Sequence, residues 1–214
     1  MNIAGYKTLI FDCDGVVLNS NKVKTAAFYK VALPYGEAAA QQLVIHHVAH
    51  GGISRYKKFE WFLQKFVPNF GDAERKQLLT NYADEVRHGL LTCEFAEGLF
   101  DLKRKTAHAN WLIVSGGDQQ ELREVFAKRG LDKLFDGGIF GSPDSKDIIL
   151  NREQANGNIL TPSLFLGDSR YDHIAASAAK LDFVFLTGWS EFDVWPDYCA
   201  TNQIEVVESI AHLT

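Results

Sequence analysis

The chain has 214 residues, 46% of them hydrophobic and 23% charged, enough to bury a core without disulfide staples. Its formal net charge of −5 excludes a general electrostatic pull toward nucleic acid or an anionic membrane, and no stretch approaches the roughly 18 apolar residues of a spanning helix. Cys13, Cys93 and Cys199 lack metal-ligand spacing, and the first residues lack a basic start followed by a long apolar run, so the expectation is a soluble, cytoplasmic protein with free thiols.

In chain order, Thr8–Phe11 is a short apolar run ended by Asp12 and Gly15, which predicts a buried strand of a parallel sheet. From Asn21 to about Leu91 the periodicity is helical. Ile53, Tyr56, Phe59, Leu63 and Phe66 recur at spacings of three and four behind Ser54, a candidate cap. Asp72 is a candidate cap for a further helix with Leu78, Leu79, Tyr82 and Val86 on one face. Trp111–Val114 predicts a second strand. It is followed by a helix with Asp118 as N-cap, Glu121 three residues on, and Gly130 as its stop. Ile139–Phe140, Leu164–Leu166 and Phe183–Phe185 predict further strands, with a helix reaching Ala179 after the second of them. Strands alternating with helices imply an α/β fold: a Rossmann-like parallel sheet interrupted by a small helical insertion. The expected division is a core of residues 1–17 and 92–214 and a helical cap of residues 18–91.

Ligands of open α/β sheets bind beyond the carboxyl ends of the strands. Asp12 and Asp14 follow the first strand, Ser115-Gly116-Gly117 the second and Gly167-Asp168 with Asp172 the third, while Ser145-Lys146 opens a helix near the weak strand. Singly, most of these residues read as turn formers, caps or a solvated lysine. Together they match phosphoryl transfer, which asks for positioning and charge neutralisation more than elaborate covalent work. A carboxylate attacks phosphorus, a divalent cation reduces the repulsion between anions, and a second carboxyl moves the proton. Strand alternation would put Asp12 and Asp14 on the same side.

These four segments, TLIFDCDGVV, WLIVSGG, GSPDSKDIIL and LFLGDSRYD, resemble in order the four motifs of the haloacid dehalogenase superfamily of phosphatases. The resemblance implies Asp12 as nucleophile and Asp14 as general acid/base. It implies Mg²⁺ held by Asp12, the Asp14 backbone carbonyl and Asp168, with Asp172 supporting the metal through its water. Ser115, with Gly116, and Lys146 would hold the phosphoryl group. Asp14 points to phosphatases and phosphomutases, because dehalogenases lack this carboxylate. The inserted helices resemble the small cap of the phosphoglycolate phosphatase and β-phosphoglucomutase group, whose substrates imply a small phosphorylated metabolite. Asn19-Ser20 and Asp147 depart from that group's usual Asp-Ser and Pro, and Lys128 and Lys133 compete with Lys146 for the lysine.

In the insertion, GISR resembles related caps in which an arginine reaches the distal anionic group of the substrate. Arg55 carries that reading beside a solvated helix face, and Lys57 and Lys58 read as solvated. His46, His47 and His50 read as surface or packing residues, because adjacent helical side chains point in different directions. A signalling receiver domain would place its paired acids before the central aspartate and lacks a large insertion after the first strand. An EF-hand loop starting at Asp12 fails because Gly15 falls at position four rather than six.

Overall fold

The computed structural model describes residues 2–213. Strands β1 (Thr8–Phe11), β2 (Asn110–Asp118), β3 (Gly138–Ser142), β4 (Ser163–Gly167), β5 (Asp182–Leu186) and β6 (Glu205–Val207) form one parallel sheet in the order β3-β2-β1-β4-β5-β6. The chain moves outward from β1 to one edge, then returns to β4 on the other side of β1. The loops after β1 and β4 therefore diverge at the switch point, where open α/β sheets form a crevice.

The period of two along the strands sorts residues onto two faces. Leu9, Phe11, Trp111, Ile113, Leu164 and Leu166 pack with Leu99 and Leu102 of α5 (Leu99–Lys105) and with Leu122 and Phe126 of α6 (Gln119–Lys128). Ile10, Leu112, Val114 and Phe165 pack with Ile149 and Leu150 of α7 (Lys146–Ala155) and with Ala175 and Ala176 of α8 (Arg170–Ala178). Helix α9 (Trp195–Asn202) leads into β6.

Between β1 and β2 lie α1 (Asn21–Ala32), α2 (Glu37–Ala49), α3 (Arg55–Phe66) and α4 (Asp72–Thr92). They pack on one another through Phe28, Leu43, Phe59, Phe62, Leu78, Tyr82 and Val86, all buried. No helix of the described residues is long and apolar enough to cross a membrane.

Several local expectations change. Ser54 sits at the N-cap of α3, but its side chain makes no capping bond there. Asp72 is inside α4 rather than before it. Gly71 is the N-cap, and Glu74 accepts from the Gly71 N–H at 2.8 Å. Asp118 does cap α6, accepting from the Glu121 N–H at 2.9 Å. The strand Glu205–Val207 was not expected from sequence; three residues at a sheet edge carry too little pattern. The strand-alternation argument for Asp12 and Asp14 also fails, since β1 ends at Phe11. A tight turn from Cys13 to Leu18 places the two carboxylates instead. In it the Val17 and Leu18 N–H groups donate to the Cys13 carbonyl and the Gly15 N–H donates to Leu18.

Candidate active site

Asp12 is the first residue beyond β1, tied to the neighbouring strand by its N–H to the Leu166 carbonyl at 2.9 Å. Its carboxylate is buried, and Oδ1 accepts from the Cys13 N–H at 2.7 Å and lies 3.0 Å from Lys146 Nζ. Lys146 opens α7 and is fully buried, with its ammonium bridging Asp12 and Asp172. Burial alone would lower the ammonium's pKa, but the two carboxylates raise it and keep it charged. Lys128 and Lys133 take no such position: Lys146 is the lysine that touches Asp12 and Asp172.

Asp14 is held by two residues of the next segment. Ser20 Oγ donates to Oδ1 at 2.5 Å and Lys24 Nζ to Oδ2 at 2.5 Å. Burial pushes the Asp14 carboxyl up, but the Lys24 charge and these hydrogen bonds outweigh it and hold the group below the usual carboxylate range. Asp168, beyond β4, accepts from Asn21 Nδ2 at 2.8 Å. Gly15 makes this approach possible. Its φ is +76°, and a Cβ there would collide with the Asp168 carboxylate.

One carboxylate oxygen from each of Asp12, Asp168 and Asp172 lies within 4.8 Å of the other two, and all three residues are buried. Burial first, then mutual repulsion, pushes the Asp12 carboxyl up to about 7 and Asp168 well above its ordinary value. Hard oxygen donors with uncompensated charge are what a divalent cation requires, so the donor set fits Mg²⁺. Asp172 differs from the other two. One oxygen is bonded to Lys146 and the other accepts from the Ser169 N–H and Oγ at 3.1 and 2.6 Å. It orients the lysine and caps α8, while Asp12 and Asp168 each keep an oxygen for a cation.

The Ser115-Gly116-Gly117 segment is a bulge in β2. Between Val114 and Asp118 the register against β3 shifts, and Ser142 Oγ donates to the Gly116 carbonyl at 2.6 Å. Ser115 is buried and its Oγ accepts from the Gly117 N–H at 3.0 Å. Gly116 and Gly117, not Ser115, line the cavity at this strand. A Cβ on Gly116 would run into the Gly52 carbonyl, so the loop before α3 closes directly onto the sheet edge there.

That cavity, of about 300 Å³, has Asp12, Asp14 and Asp168 on the sheet side and Lys24, Lys58 and Tyr82 on the helical side. Arg55 lines it too, but both terminal nitrogens of its guanidinium are bonded to Glu121 of α6, and the group lies 4.5 Å from the Tyr82 ring centroid. Beside it, Tyr56 donates to Asp118 at 2.7 Å. The expected solvated face is half wrong. Lys57 is exposed, while Lys58 is buried against His47. His46 stacks on Trp61, and among the described residues no histidine joins the acidic cluster.

Sequence reasoning missed Asn21, Lys24 and Lys58. The available signal was a polar residue in phase with an apolar stripe. Lys24 precedes Ala27, Phe28 and Val31, and Lys58 precedes Phe62, at the three- and four-residue spacing of a buried face.

The haloacid dehalogenase-like hydrolase family model matches residues 6–180. The chain belongs to this family. No curated protein matches this hydrolase. Among solved structures it is similar to a protein of Haemophilus somnus predicted to be a phosphoglycolate phosphatase, with TM-score 0.74 and 18% identity over 97% of this chain and 96% of that one. It is also similar to β-phosphoglucomutase of Clostridium difficile, with TM-score 0.72 and 18% identity over 98% and 93%. A third similar structure is CbbY of Rhodobacter sphaeroides in complex with phosphate, with TM-score 0.72 and 15% identity over 97% and 96%. At these identities the likeness is one of fold.

Proposed function

We propose that this hydrolase is a magnesium-dependent phosphatase that cleaves a small phosphomonoester metabolite through a phosphorylated Asp12. The observation that carries the reading is the junction of Asp12, Lys146 and Asp168 at the crevice between β1 and β4, with Asp14 in the next turn. Asp12, Asp168 and the Asp14 backbone carbonyl would hold Mg²⁺, which supplies positive charge to the phosphoryl oxygens and lets two anions approach. Lys146 holds a phosphoryl oxygen, and the β2 bulge borders the cavity through Gly116 and Gly117. Asp12 attacks phosphorus and the bond to the leaving oxygen breaks; Asp14, which Lys24 and Ser20 hold ionised in the free protein, takes up a proton before this step and passes it to that oxygen. In the second half-reaction Asp14 takes a proton from water, which attacks phosphorus and frees Asp12. The deciding assay is phosphate release across a panel of phosphomonoesters. Stoichiometric free phosphate supports the reading, whereas isomerisation of a sugar phosphate with little free phosphate makes the protein a phosphomutase.

Metal binding has a readout independent of turnover. Protons compete with the cation for Asp12 and Asp168, whose carboxyls are raised. In the metal-free protein the folded Asp12 keeps its proton up to about pH 7 while the unfolded one loses it near pH 4, so this group's contribution to stability falls as pH rises between those values. Magnesium restores what deprotonation removes. The rise in Tm caused by magnesium is therefore expected to be larger at pH 8 than at pH 6. An equal or opposite dependence in thermal melts would count against these ligands.

Arg55 has a second role to be measured. Its ion pair with Glu121 joins α3 to α6, and both side chains are largely buried. Removing one partner of such a pair typically costs about 3–5 kcal/mol. Arg55→Ala and Glu121→Ala are expected to lower the specificity constant on an aryl phosphate and on the preferred metabolite by the same factor. A loss confined to the metabolite in Arg55→Ala, absent in Glu121→Ala, would instead place the guanidinium on the substrate.

A further inference from the structure

Among the described residues, four basic side chains of the Lys and Arg type are buried: Lys24, Arg55, Lys58 and Lys146. Three have a carboxylate partner, in Asp14, Glu121 and the Asp12–Asp172 pair. Lys58 has none. Its Nζ lies 2.7 Å from His47 Nδ1 and 5.5 Å from the Phe28 ring centroid, and only 2% of the residue is exposed. The nearby acids are already engaged: Asp14 by Lys24 and Ser20, Glu191 by Thr25 Oγ1 at 2.7 Å.

A histidine does not balance a lysine's charge. Burial first, and then the Lys58 charge, push the His47 imidazole well below its ordinary value, so it is neutral. A neutral ring that accepts from Lys58 at Nδ1 carries its proton on Nε2 and is itself a donor there. The ammonium has three donors, of which His47 takes one. Burying a cation without an anion is unfavourable, and the usual compensation is a charge partner. Here both residues line the cavity that also holds Asp12, Asp14 and Asp168. The phosphoryl group cannot be the missing anion, because Lys146 and the metal-binding carboxylates already assign it to the sheet side.

We propose that Lys58 and His47 form a subsite for a second anionic group of the substrate, which makes the substrate class a small phosphomonoester that also carries a carboxylate or a second phosphate. This rests on the reading of the cavity as a phosphomonoester site. It also moves recognition of the distal anion from Arg55, whose guanidinium is bonded to Glu121, to α2 and the second turn of α3. Burial opposes the charged form of Lys58 and lowers its pKa to about 7, with the nearby Lys24 adding to the effect; an arriving anion reverses that shift.

The test uses the magnesium-loaded protein and three non-hydrolysable probes with the same three-carbon span: propylphosphonate, 2-carboxyethylphosphonate and propane-1,3-diphosphonate. Calorimetric titration is expected to show at least tenfold tighter binding of a probe with an anionic tail than of propylphosphonate. The carboxylate probe winning assigns phosphorylated carboxylic acids, and the diphosphonate winning assigns bisphosphates. Lys58→Met is expected to reduce that ratio at least tenfold. Equal affinities for the three probes on wild type, or an unchanged ratio in folded Lys58→Met, would overturn the subsite. Should Lys58→Met fail to fold, the wild-type comparison decides by itself. Aryl phosphate turnover alongside equal probe affinities sinks the subsite and leaves the phosphatase reading standing. No turnover of any phosphomonoester, alongside a Lys58-dependent tenfold preference, sinks the phosphatase reading and leaves the subsite.

Discussion

Asp12→Asn is expected to abolish phosphate release, by roughly 10⁴-fold or more, the scale of loss when a covalent mechanism is deprived of its nucleophile. The amide keeps the shape of the side chain and its contact with the Cys13 N–H, but removes the charge that attacks phosphorus. Stability should not suffer. Asp12 is buried beside Asp168 and Asp172, and its carboxyl is pushed up to about 7, so the folded state already disfavours its charge. Lys146 retains Asp172 as a partner. Steady-state phosphate release and a thermal melt, read on the same preparation, check both halves of the expectation. A folded variant with substantial turnover would exclude Asp12 as the nucleophile and send the search to Asp168, the other buried acid with an oxygen to offer.

The parts of this site legible in the sequence are those whose position is local. Asp12, Asp168 and the Ser115-Gly116 pair each follow an apolar run that reads as a buried strand, and the parallel sheet brings the ends of such strands to one edge. Lys146 was legible as the residue opening a helix at that edge and, through the family resemblance, as a residue for the phosphoryl group; that it bridges two carboxylates follows from the packing of α7 against β2 and α8. What was illegible depends on which way a helix turns. Lys24 and Lys58 sit on α1 and α3 among lysines that face solvent, such as Lys22 and Lys57, and composition alone does not separate them. The packing of Phe28, Phe59 and Tyr82 fixes the roll of these helices and so decides which lysine is turned inward. The Arg55 expectation failed to anticipate Glu121 for the same reason. Locally Glu121 reads as half of a capping motif, and nothing local shows that its carboxylate crosses to another helix.

Asp14→Asn is expected to lower steady-state turnover about 10²- to 10⁴-fold, the usual contribution of a positioned acid or base. The loss should fall unequally on the two half-reactions. Lys24 and Ser20 hold Asp14 in its ionised form, which suits a base that takes a proton from water. An aryl phosphate with a weakly basic leaving group needs little protonation, so its first half-reaction should survive and give a burst close to one equivalent of phenol. The phosphorylated Asp12 should then persist, because nothing activates the water. Rapid-quench measurement of phenol against phosphate separates the two steps. Equal release of both from the start, at a rate near that of wild type, would remove Asp14 from the chemistry. The substitution also deprives Lys24 of its charge partner, and an unpaired buried cation typically destabilises by about 3–5 kcal/mol. Asp14→Asn combined with Lys24→Met distinguishes the two effects. The second change should return the melting temperature toward wild type, since the stranded charge is gone, and should leave the burst without turnover, since the base is still missing. Recovery of turnover together with stability would mean that Asp14 serves only to hold Lys24.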